Sequence, residues 1–467
     1  MVWDIQKLDE MFADAADWNQ RSLEVGTEII YVRFVDGLTT SGQISEYVIK
    51  PAMKMQGSTM AQLYRNALYG NVVNAVAKPC KDLQDAAYFL VNGFCVLLFP
   101  EVGAIAFETK TGEKRSLSGP ELEHTSKGAK DAFVETNRTN TSLVRRHLRT
   151  PDLRLFETKV GRRSLTNVSV LWIDGLTNMD YVDKLKRRLA QIDIDGLLTP
   201  SAVEEYITGS RRTAFPLLQY TERTDRFCNG LLQGRVGLFV DGIPLGYLLP
   251  VDIGYLMNSP EDYSRDYLSA SWVRILRYGA LILGLLLPAV YIAMVTYHGQ
   301  YIPDALRGII QKGREGVPFS PIWEVLGLLI AFELLQESGI HLPQSIGQSV
   351  SIIGGIVVGT VGVEAGLISS TALICVSLAG VCGFVLPNRD LAGAVRIWRF
   401  ALSGLASILG LGGVGIGIVI LVLHLLSLKS LGVPYCIPFE PGIIRKRLVR
   451  DKLRSEKLHP IDKKKQK

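Results

Sequence analysis

The sequence lacks most of the features that would assign its 467 residues to a familiar class. Its acidic opening, MVWDIQKLDEMFADAADWNQ, has neither a basic start nor an apolar core, so we expect no secretory signal and a cytoplasmic location for residues 1–270. The six cysteines show no CxxC spacing, which argues against a zinc site or a disulfide framework. No paired carboxylates and no nucleophile with a base point to catalysis, so the sequence predicts a protein that is not an enzyme.

Two motifs imitate ligand sites without their required context. GLGGVG at 410–415 has the spacing of a dinucleotide fingerprint, but it lies in a long apolar run without the strand and acidic residue of that motif. We interpret its glycines as helix contacts and expect no cofactor. His424, in the same run, is interpreted as a packed, hydrogen-bonded side chain. The arginine-rich segment 138–166 has a single aromatic residue, Phe156, and no series of aromatic residues between its basic ones, which favours a linker or subunit contact over nucleic acid.

Charge-free stretches are present, and they are concentrated in the C-terminal part. Residues 278–297 are about twenty residues without a charge, enough to cross a hydrocarbon layer roughly 30 Å thick, with a kink predicted at Pro288. Three further uncharged runs are predicted to span as well, at 346–363, 365–388 and 400–428.

The flanking charges predict an orientation. Arg274 and Arg277 precede the first run, and a basic tail follows the last one. Because basic residues favour the cytoplasmic side, both ends of this region are predicted to be cytoplasmic. Two cytoplasmic ends require an even number of crossings. We therefore predict four spans, with 321–339 as a re-entrant or interfacial helix.

The segment 321–339, PIWEVLGLLIAFELLQESG, places Glu324, Glu333 and Glu337 in an apolar helix. A carboxylate at membrane depth costs roughly 2.5–3.5 kcal/mol, so such groups should face water or a partner. At about 100° per residue, Glu333 and Glu337 share a face and Glu324 lies nearly opposite. One straight helix cannot aim all three at one pore, which leaves open a break at Gly327, an interfacial Glu324, or an amphipathic helix in the headgroup plane.

A fourth carboxylate and four glycines lie nearby. Glu364, between two apolar runs, is interpreted as a solvated loop tip or as a gating group of the pore. The glycines have the spacing that lets helix backbones approach closely, and we predict helix packing for Gly355, Gly359, Gly362 and Gly366.

The N-terminal part contains a repeat. VRFVDGLTTSGQI at 32–44 and VLWIDGLTNMDYV at 170–182 each join a strand-like run to an Asp-Gly turn and a helix-forming segment, and a predicted β-hairpin follows each one. The predicted fold class is a soluble α/β N-terminal region of two similar subdomains, followed by an α-helical transmembrane domain. The predicted boundaries are 1–137 and 167–270 for the subdomains, 138–166 for a basic linker, 271–441 for a membrane domain of four to five hydrophobic helices, and 442–467 for a cytoplasmic tail.

A series of ordered motifs adds a resemblance. DAFVETNRTNTSLVRRHL, KVGRRSLTNVSV, FPLLQYTERTDR, LLQGRVGLFVDGIP, GVPFSP and LPQSIGQSVSIIGG resemble the A-subunit family of spore germinant receptors, the GerA type, over nearly the whole chain. The sequence departs from the residues common in that family at Thr224, Gln233, Ser264, Leu329, Gln336 and His341.

The resemblance implies a multi-pass protein of the spore inner membrane that works with a transporter-like B subunit and a lipoprotein C subunit. It further implies a homo-oligomeric, ligand-gated cation channel. Two alternatives are a non-conducting scaffold that organises receptor clusters and a sporulation paralogue similar to stage V sporulation protein AF. A secondary transporter is disfavoured, because the short membrane region shows no repeated hydrophobic halves.

Overall fold

The structure is a computed structural model that describes residues 3–110, 119–120, 123, 125, 127–209, 213–341, 355–436 and 449. The chain divides into two compact units. The α/β unit lies within Met1–Ser210 and Leu218–Pro250, and the helical unit lies within Arg211–Leu217 and Val251–Glu456.

Two five-stranded antiparallel sheets form the α/β unit. The strands are β1 Trp18–Val25, β2 Glu28–Val35, β3 Ala77–Pro79, β4 Phe94–Phe99, β5 Gly103–Glu108, β6 Leu153–Val160, β7 Thr166–Ile173, β8 Gln219–Thr221, β9 Val236–Val240 and β10 Gly246–Leu249. The first sheet has the order β1-β2-β4-β5-β3 and the second has the order β6-β7-β9-β10-β8. Counted within each sheet, the two orders are the same, so the repeat in the sequence is a repeat of topology.

Helices cover both faces of the first sheet. The helices of the α/β unit are α1 Ile5–Met11, α2 Ser41–Ile44, α3 Lys50–Met53, α4 Met60–Asn66, α5 Leu83–Val91, α6 Asn137–His147, α7 Met179–Ala190, α8 Pro200–Thr208 and α9 Thr224–Leu232, with π-helical turns at Ser45–Ile49 and Ala67–Asn71. One face of the sheet packs against Ile44 and Leu63, and the other packs against Leu8 and Leu90. All six residues of β4 are consequently buried.

The repeated Asp-Gly pair forms a turn in both sheets. The side chain of Asp36 accepts a hydrogen bond from the backbone N–H of Gly37 at 2.9 Å, and Asp174 does the same for Gly175 at 3.0 Å. Both glycines have positive φ, 84° and 74°, which glycine adopts without steric cost. The two aspartates therefore serve the backbone, as the sequence pattern predicts.

Helix α6 and strand β6 tie the two sheets together. Nε of Arg145 donates to Asp17 at 2.6 Å and Nη2 donates at 2.7 Å, and both side chains are buried. The backbone also pairs, because the N–H of Ala16 donates to the carbonyl of Leu155 at 2.8 Å. Residues 138–166, which the sequence predicts to be a linker, instead contain a helix and a strand that both belong to the packed α/β unit.

The helical unit follows Pro250. Its helices are α10 Ile253–Leu256, α11 Glu261–Ser264, α12 Tyr267–Thr296, α13 Asp304–Lys312, α14 Pro321–His341, α15 Gly362–Glu364, α16 Ser370–Val385 and α17 Arg389–Ser427, with a 3₁₀ turn at Gly299–Tyr301, a π-helical turn at Val357–Val361, and the short strands β11 Lys429–Ser430 and β12 Val433–Pro434. Two of these helices, α12 and α17, are long and apolar enough to cross a membrane. The predicted fold class is confirmed: two similar α/β subdomains precede a helical region with apolar helices.

Two features of helix α12 bear on the predictions from the sequence. Pro288 lies inside the continuous helix and is buried. Arg274 and Arg277, which precede the first apolar run, are buried and both bind Asp262, at 3.1 and 2.8 Å. Asp262 therefore offsets part of their charge within the protein.

The predicted span 400–428 is wrong as a single crossing, because α17 reverses direction at Gly410. This glycine has φ 57° and ψ −138°, a conformation that no helical residue adopts. In one straight helix, Trp398 and His424 would lie about 39 Å apart. Their ring centroids are only 5.6 Å apart. Residues 389–409 and 411–427 therefore form an antiparallel helical hairpin.

The hairpin and α12 define two ends of the helical unit. At one end, called distal, the Tyr297 hydroxyl donates to the carbonyl of Ser407 at 2.6 Å, and a side chain at Gly410 would meet His298. At the other end, called proximal, the N–H of Ile253 donates to the carbonyl of Tyr435 at 3.1 Å. The chain thus enters and leaves the described helical unit at the proximal end.

Helices α14 and α16 both run from the distal end towards the proximal end. Tyr291, near the distal end of α12, is hydrogen-bonded to Thr371 of α16 at 3.0 Å. Helix α14 begins beside the same region and continues without interruption for 21 residues, about 31 Å. This length and course differ from the predicted re-entrant helix. The predicted span 346–363 lies largely outside the described residues.

Candidate functional site

The carboxylates of α14 form the centre of the candidate site, and the structure gives each a different environment. Glu324 is fully buried near the distal end of the helical unit. It accepts a hydrogen bond from Nη1 of Arg314 at 2.8 Å and another from the backbone N–H of Ser369. Glu324 is therefore part of an internal ion pair that joins three segments.

Glu333 and Glu337 lie further along the same helix, where water or lipid can reach them. The side chain of Glu333 is 38% exposed and accepts a hydrogen bond from Nη1 of Arg396 at 2.6 Å. The same nitrogen also donates to Gln336 at 2.7 Å. Glu337 is exposed. The predicted common face of Glu333 and Glu337 thus includes Gln336, and Arg396 partly neutralises its charge.

Gly327 does not break α14. The helix passes through it, and Gly327 lines a largely apolar cavity of about 850 Å³ at the distal end. Trp323, Leu328 and Ile368 contribute to the walls of this cavity, and Glu324 contributes a buried carboxylate. The glycine therefore provides space beside the helix, and the alternative of a break at this position is wrong.

The remaining predicted residues are dispersed along the chain before α16. Glu364 is exposed at the end of α15, next to a turn in which Gly366 has φ 63°. Gly366 therefore ends a helix, which differs from the predicted packing role. A side chain on Gly362 would crowd Ile368, and one on Gly359 would touch Leu373 at 3.6 Å. Among the described residues, no atom lies within 4 Å of the Cβ position at Gly355.

His424 is packed and hydrogen-bonded, as the sequence analysis proposes. Its Nε2 lies 2.8 Å from the hydroxyl of Thr213, and its ring lies beside Trp398 and Phe215. This cluster holds the two arms of the hairpin together near the proximal end. The glycines of the GLGGVG motif act at the other end, where a side chain on Gly413 would overlap the carbonyl of Leu405.

Sequence reasoning missed the arginines that control this site. Arg314, Arg396 and Arg399 lie at the edges of the uncharged runs, where their charges mark boundaries in a hydropathy analysis. The structure shows that Arg314 and Arg396 bind the carboxylates of α14, and that Arg399 is 5% exposed. Within the described ranges, no group of three or more His, Cys, Asp or Glu side chains is arranged to hold a metal ion.

Fold and site together define a class of protein: a repeated α/β region joined to a bundle of apolar helices in which carboxylates pair with arginines. Residues 6–462 match the family described as Bacillus/Clostridium GerA spore germination protein. The chain belongs to this GerA family.

Known proteins are similar to this chain over most of its length. The chain is 36% identical to the "Uncharacterized membrane protein YfkQ" of Bacillus subtilis (strain 168), over 88% of this chain and 80% of that protein. It is 33% identical to "Spore germination protein A1" of the same organism, over 90% of this chain and 86% of that protein. A similar solved structure is the N-terminal domain of the A subunit of the Bacillus megaterium spore germinant receptor GerK3, with 24% identity, a TM-score of 0.40, and coverage of 52% of this chain and 92% of that one.

Proposed function

We propose that this protein is the A subunit of a nutrient germinant receptor in the spore inner membrane and that it assembles into a ligand-gated cation channel. Its partners are a transporter-like B subunit and a lipoprotein C subunit, and its role is not enzymatic. Family membership supports the receptor role. One observation supports conduction: an uninterrupted 21-residue helix carries Glu333 and Glu337 at exposed or half-exposed positions.

The chemistry of these side chains supports a cation path. Rings of carboxylates lower the electrostatic barrier to cations, and symmetric copies of α14 would form such a ring. Arg396 opposes this effect because it binds Glu333 at 2.6 Å. Arg396 would then set how much Glu333 adds to the negative field of the ring.

Ion flux through proteoliposomes tests this proposal. Glu337→Gln should reduce cation flux, because it removes charge and keeps size and hydrogen bonding. Arg396→Gln should increase the preference for cations over anions, because it releases the carboxylate of Glu333. Glu315→Gln is the matched control, an exposed carboxylate of the helical unit outside α14. Unchanged flux in the double variant Glu333→Gln, Glu337→Gln would remove α14 from the conduction path.

A second function, a non-conducting scaffold or sporulation paralogue, is favoured by the same ion pair. Because Arg396 partly neutralises Glu333, this carboxylate attracts cations less strongly, while the pair joins α14 to the first arm of the hairpin. Absence of flux from the complete receptor with all its subunits, together with normal assembly, would support the scaffold and refute the channel.

We further propose that the helical unit spans the membrane several times, with residues 1–270 and the tail on the cytoplasmic side. The positions of Ile253 and Tyr435 at one end support this, because a chain that enters and leaves at one end makes an even number of crossings. The predicted number, four, changes, because α14 runs the length of the helical unit and α17 is a hairpin. Each difference adds one crossing, so the number of crossings stays even.

Cysteine labelling of intact cells tests the orientation on a cysteine-free background. Tyr301→Cys, at a 64% exposed position beyond the distal end of α12, should react with an impermeant reagent from outside. Lys467→Cys should react only after permeabilisation. Reaction of both from outside would refute the even number of crossings.

A further inference from the structure

Arg399 is a buried cation that has no bonded partner in the part of the chain that the structure describes. The residue is 5% exposed, and its Nε makes no hydrogen bond. The other arginines buried in the helical unit are paired, as Arg274 and Arg277 are with Asp262. A buried guanidinium without a counter-charge is among the costliest groups in a protein interior, so Arg399 requires an explanation.

A second unsatisfied donor lies beside it. Ser403 is completely buried, and its Oγ has no hydrogen-bond partner among the described residues. Residues four apart in a helix project from the same face, so Arg399 and Ser403 point to the same side of the first arm of the hairpin. A serine hydroxyl in a helix can bond to the carbonyl one turn earlier, and this one does not. Two adjacent polar groups are therefore left unsatisfied together.

The groups around Arg399 contribute little negative charge to offset it. Glu333, Arg396 and Cys382 lie close enough to interact with its guanidinium electrostatically. Glu333 is bound by Arg396 instead, at 2.6 Å. Two arginines thus face one carboxylate, which leaves an excess of one positive charge at this position.

The available side-chain groups are suited to an anion. A guanidinium only donates hydrogen bonds, a serine hydroxyl can donate, and a thiol is a weak donor. Cys382 is 6% exposed and unoxidised, and it comes from α16, where its Cβ lies 3.1 Å from the Cβ position of Gly284 on α12. Three helices therefore meet around these donors.

We propose that Arg399, Ser403 and Cys382 form a binding site for a small inorganic anion of the size of chloride, inside the helical unit. The anion supplies the missing charge and accepts hydrogen bonds from Nε of Arg399 and Oγ of Ser403. Water could accept the same hydrogen bonds, but it would leave the excess positive charge. The site links α12, α16 and the hairpin α17, so anion binding stabilises this packing. It does not depend on whether the protein conducts cations.

Thermal unfolding of the full-length chain in neutral detergent tests this site. The melting temperature, followed by tryptophan fluorescence, is compared in sodium chloride and sodium gluconate at equal ionic strength, because gluconate is too large to replace chloride in a packed helix junction. A ligand that binds only the native state raises the melting temperature as its concentration increases. We expect a saturable rise with chloride and with bromide. Identical melting temperatures in chloride and gluconate would overturn the proposal.

Variants locate the effect. Arg399→Gln should abolish the chloride dependence, and Ser403→Ala should raise the half-saturating chloride concentration about tenfold, since a hydrogen bond to a charged group is lost. Arg389→Gln is the matched control, because it removes an exposed arginine from the same helix and should leave the chloride dependence unchanged. An equal chloride response in Arg399→Gln and in the natural sequence would refute the site.

A second measurement covers the case in which Arg399→Gln fails to fold. Chloride-35 NMR reports bound chloride as line broadening in exchange with the free ion. The natural sequence should broaden the line, excess bromide should reverse the broadening, and Ser403→Ala should reduce it. No broadening by the natural sequence beyond that of empty detergent would refute the site. These are binding measurements, so a failure of the channel proposal would not affect their outcome.

Discussion

The buried ion pair between Asp17 and Arg145 allows a quantitative prediction. Their side chains are 2% and 3% exposed, and two hydrogen bonds of 2.6 and 2.7 Å join them. Asp17→Asn removes the negative charge and leaves the guanidinium buried without a counter-charge. Such a change costs about 3–5 kcal/mol of the free energy of unfolding. The upper part of that range applies here, because Nη1 of Arg145 already has no hydrogen-bond partner among the described residues.

The double variant provides the decisive comparison. Replacing both residues, Asp17→Asn with Arg145→Met, removes both charges and should recover most of the lost stability, because a buried pair contributes little net free energy once its desolvation is counted. Arg138→Ala is the control: Arg138 binds Asp36 and Glu157, and all three side chains are about one-third exposed, so the loss should be about 1 kcal/mol or less.

Urea-dependent proteolysis of the full-length chain in detergent measures these differences, because cleavage within the α/β unit reports its unfolding. A loss below about 1 kcal/mol for Asp17→Asn would show that water reaches the pair and that the two sheets are not tied together there. A double variant as unstable as the single one would also refute the reasoning, since the cost would then lie in packing and not in the unpaired charge.

Two further predictions concern the hairpin and a surface histidine. Gly413→Leu should reduce the yield of folded protein in detergent, because the new side chain overlaps the carbonyl of Leu405. Gly412→Ala is the control, because no atom of the described residues lies near its Cβ position, and it should leave the yield unchanged. Equal yields for the two variants would argue against close contact between the arms of the hairpin. The hydrogen bond to His147 lowers the pKa of Asp131 to about 2, and the same bond raises the pKa of His147. The contribution of Asp131 to the free energy of unfolding is present above about pH 4 and is lost as the pH falls towards 2. The contribution of His147 is present below about pH 6.5 and is lost as the pH rises through its raised pKa. The stability difference between the natural sequence and His147→Ala, from urea unfolding at several pH values, should be largest between these limits, and a difference independent of pH would contradict this assignment.

The repeated α/β region was the part most open to prediction from sequence. Strand-forming runs that end in Asp-Gly are local signals, because the turn depends on the aspartate side chain and on positive φ at the following glycine. Those signals and the two hairpins account for the three central strands of each sheet, β2, β4 and β5 in the first and β7, β9 and β10 in the second. The edge strands β1 and β6 were missed, since WNQRSLEV and LRLFETKV alternate with polar residues and have no diagnostic turn.

The helical unit was less open to prediction, because hydropathy reports how apolar a segment is and not where the chain reverses its direction. Gly410 lies in an apolar run whose hydropathy does not change where the chain reverses, so one long run concealed two helices. The pairing of carboxylates was hidden for a related reason. Glu324 binds Arg314 and Ser369, and the latter is 45 residues away along the chain. Helical periodicity gives the face of a residue but not the helix that packs against it.

In the proposed topology, the reversal at Gly410 also bears on how this chain enters the membrane during synthesis. Both arms of the hairpin begin or end at the proximal end, so only the tip has to be carried to the far side. The tip, ILGLGGVGI, contains no charged residue, and no polar side chain has to be dehydrated when it crosses. The two arms also contact each other over short sequence separations, which favours rapid pairing. In that topology, the hairpin can be inserted as one preformed element, with no hydrophilic loop between its arms to translocate.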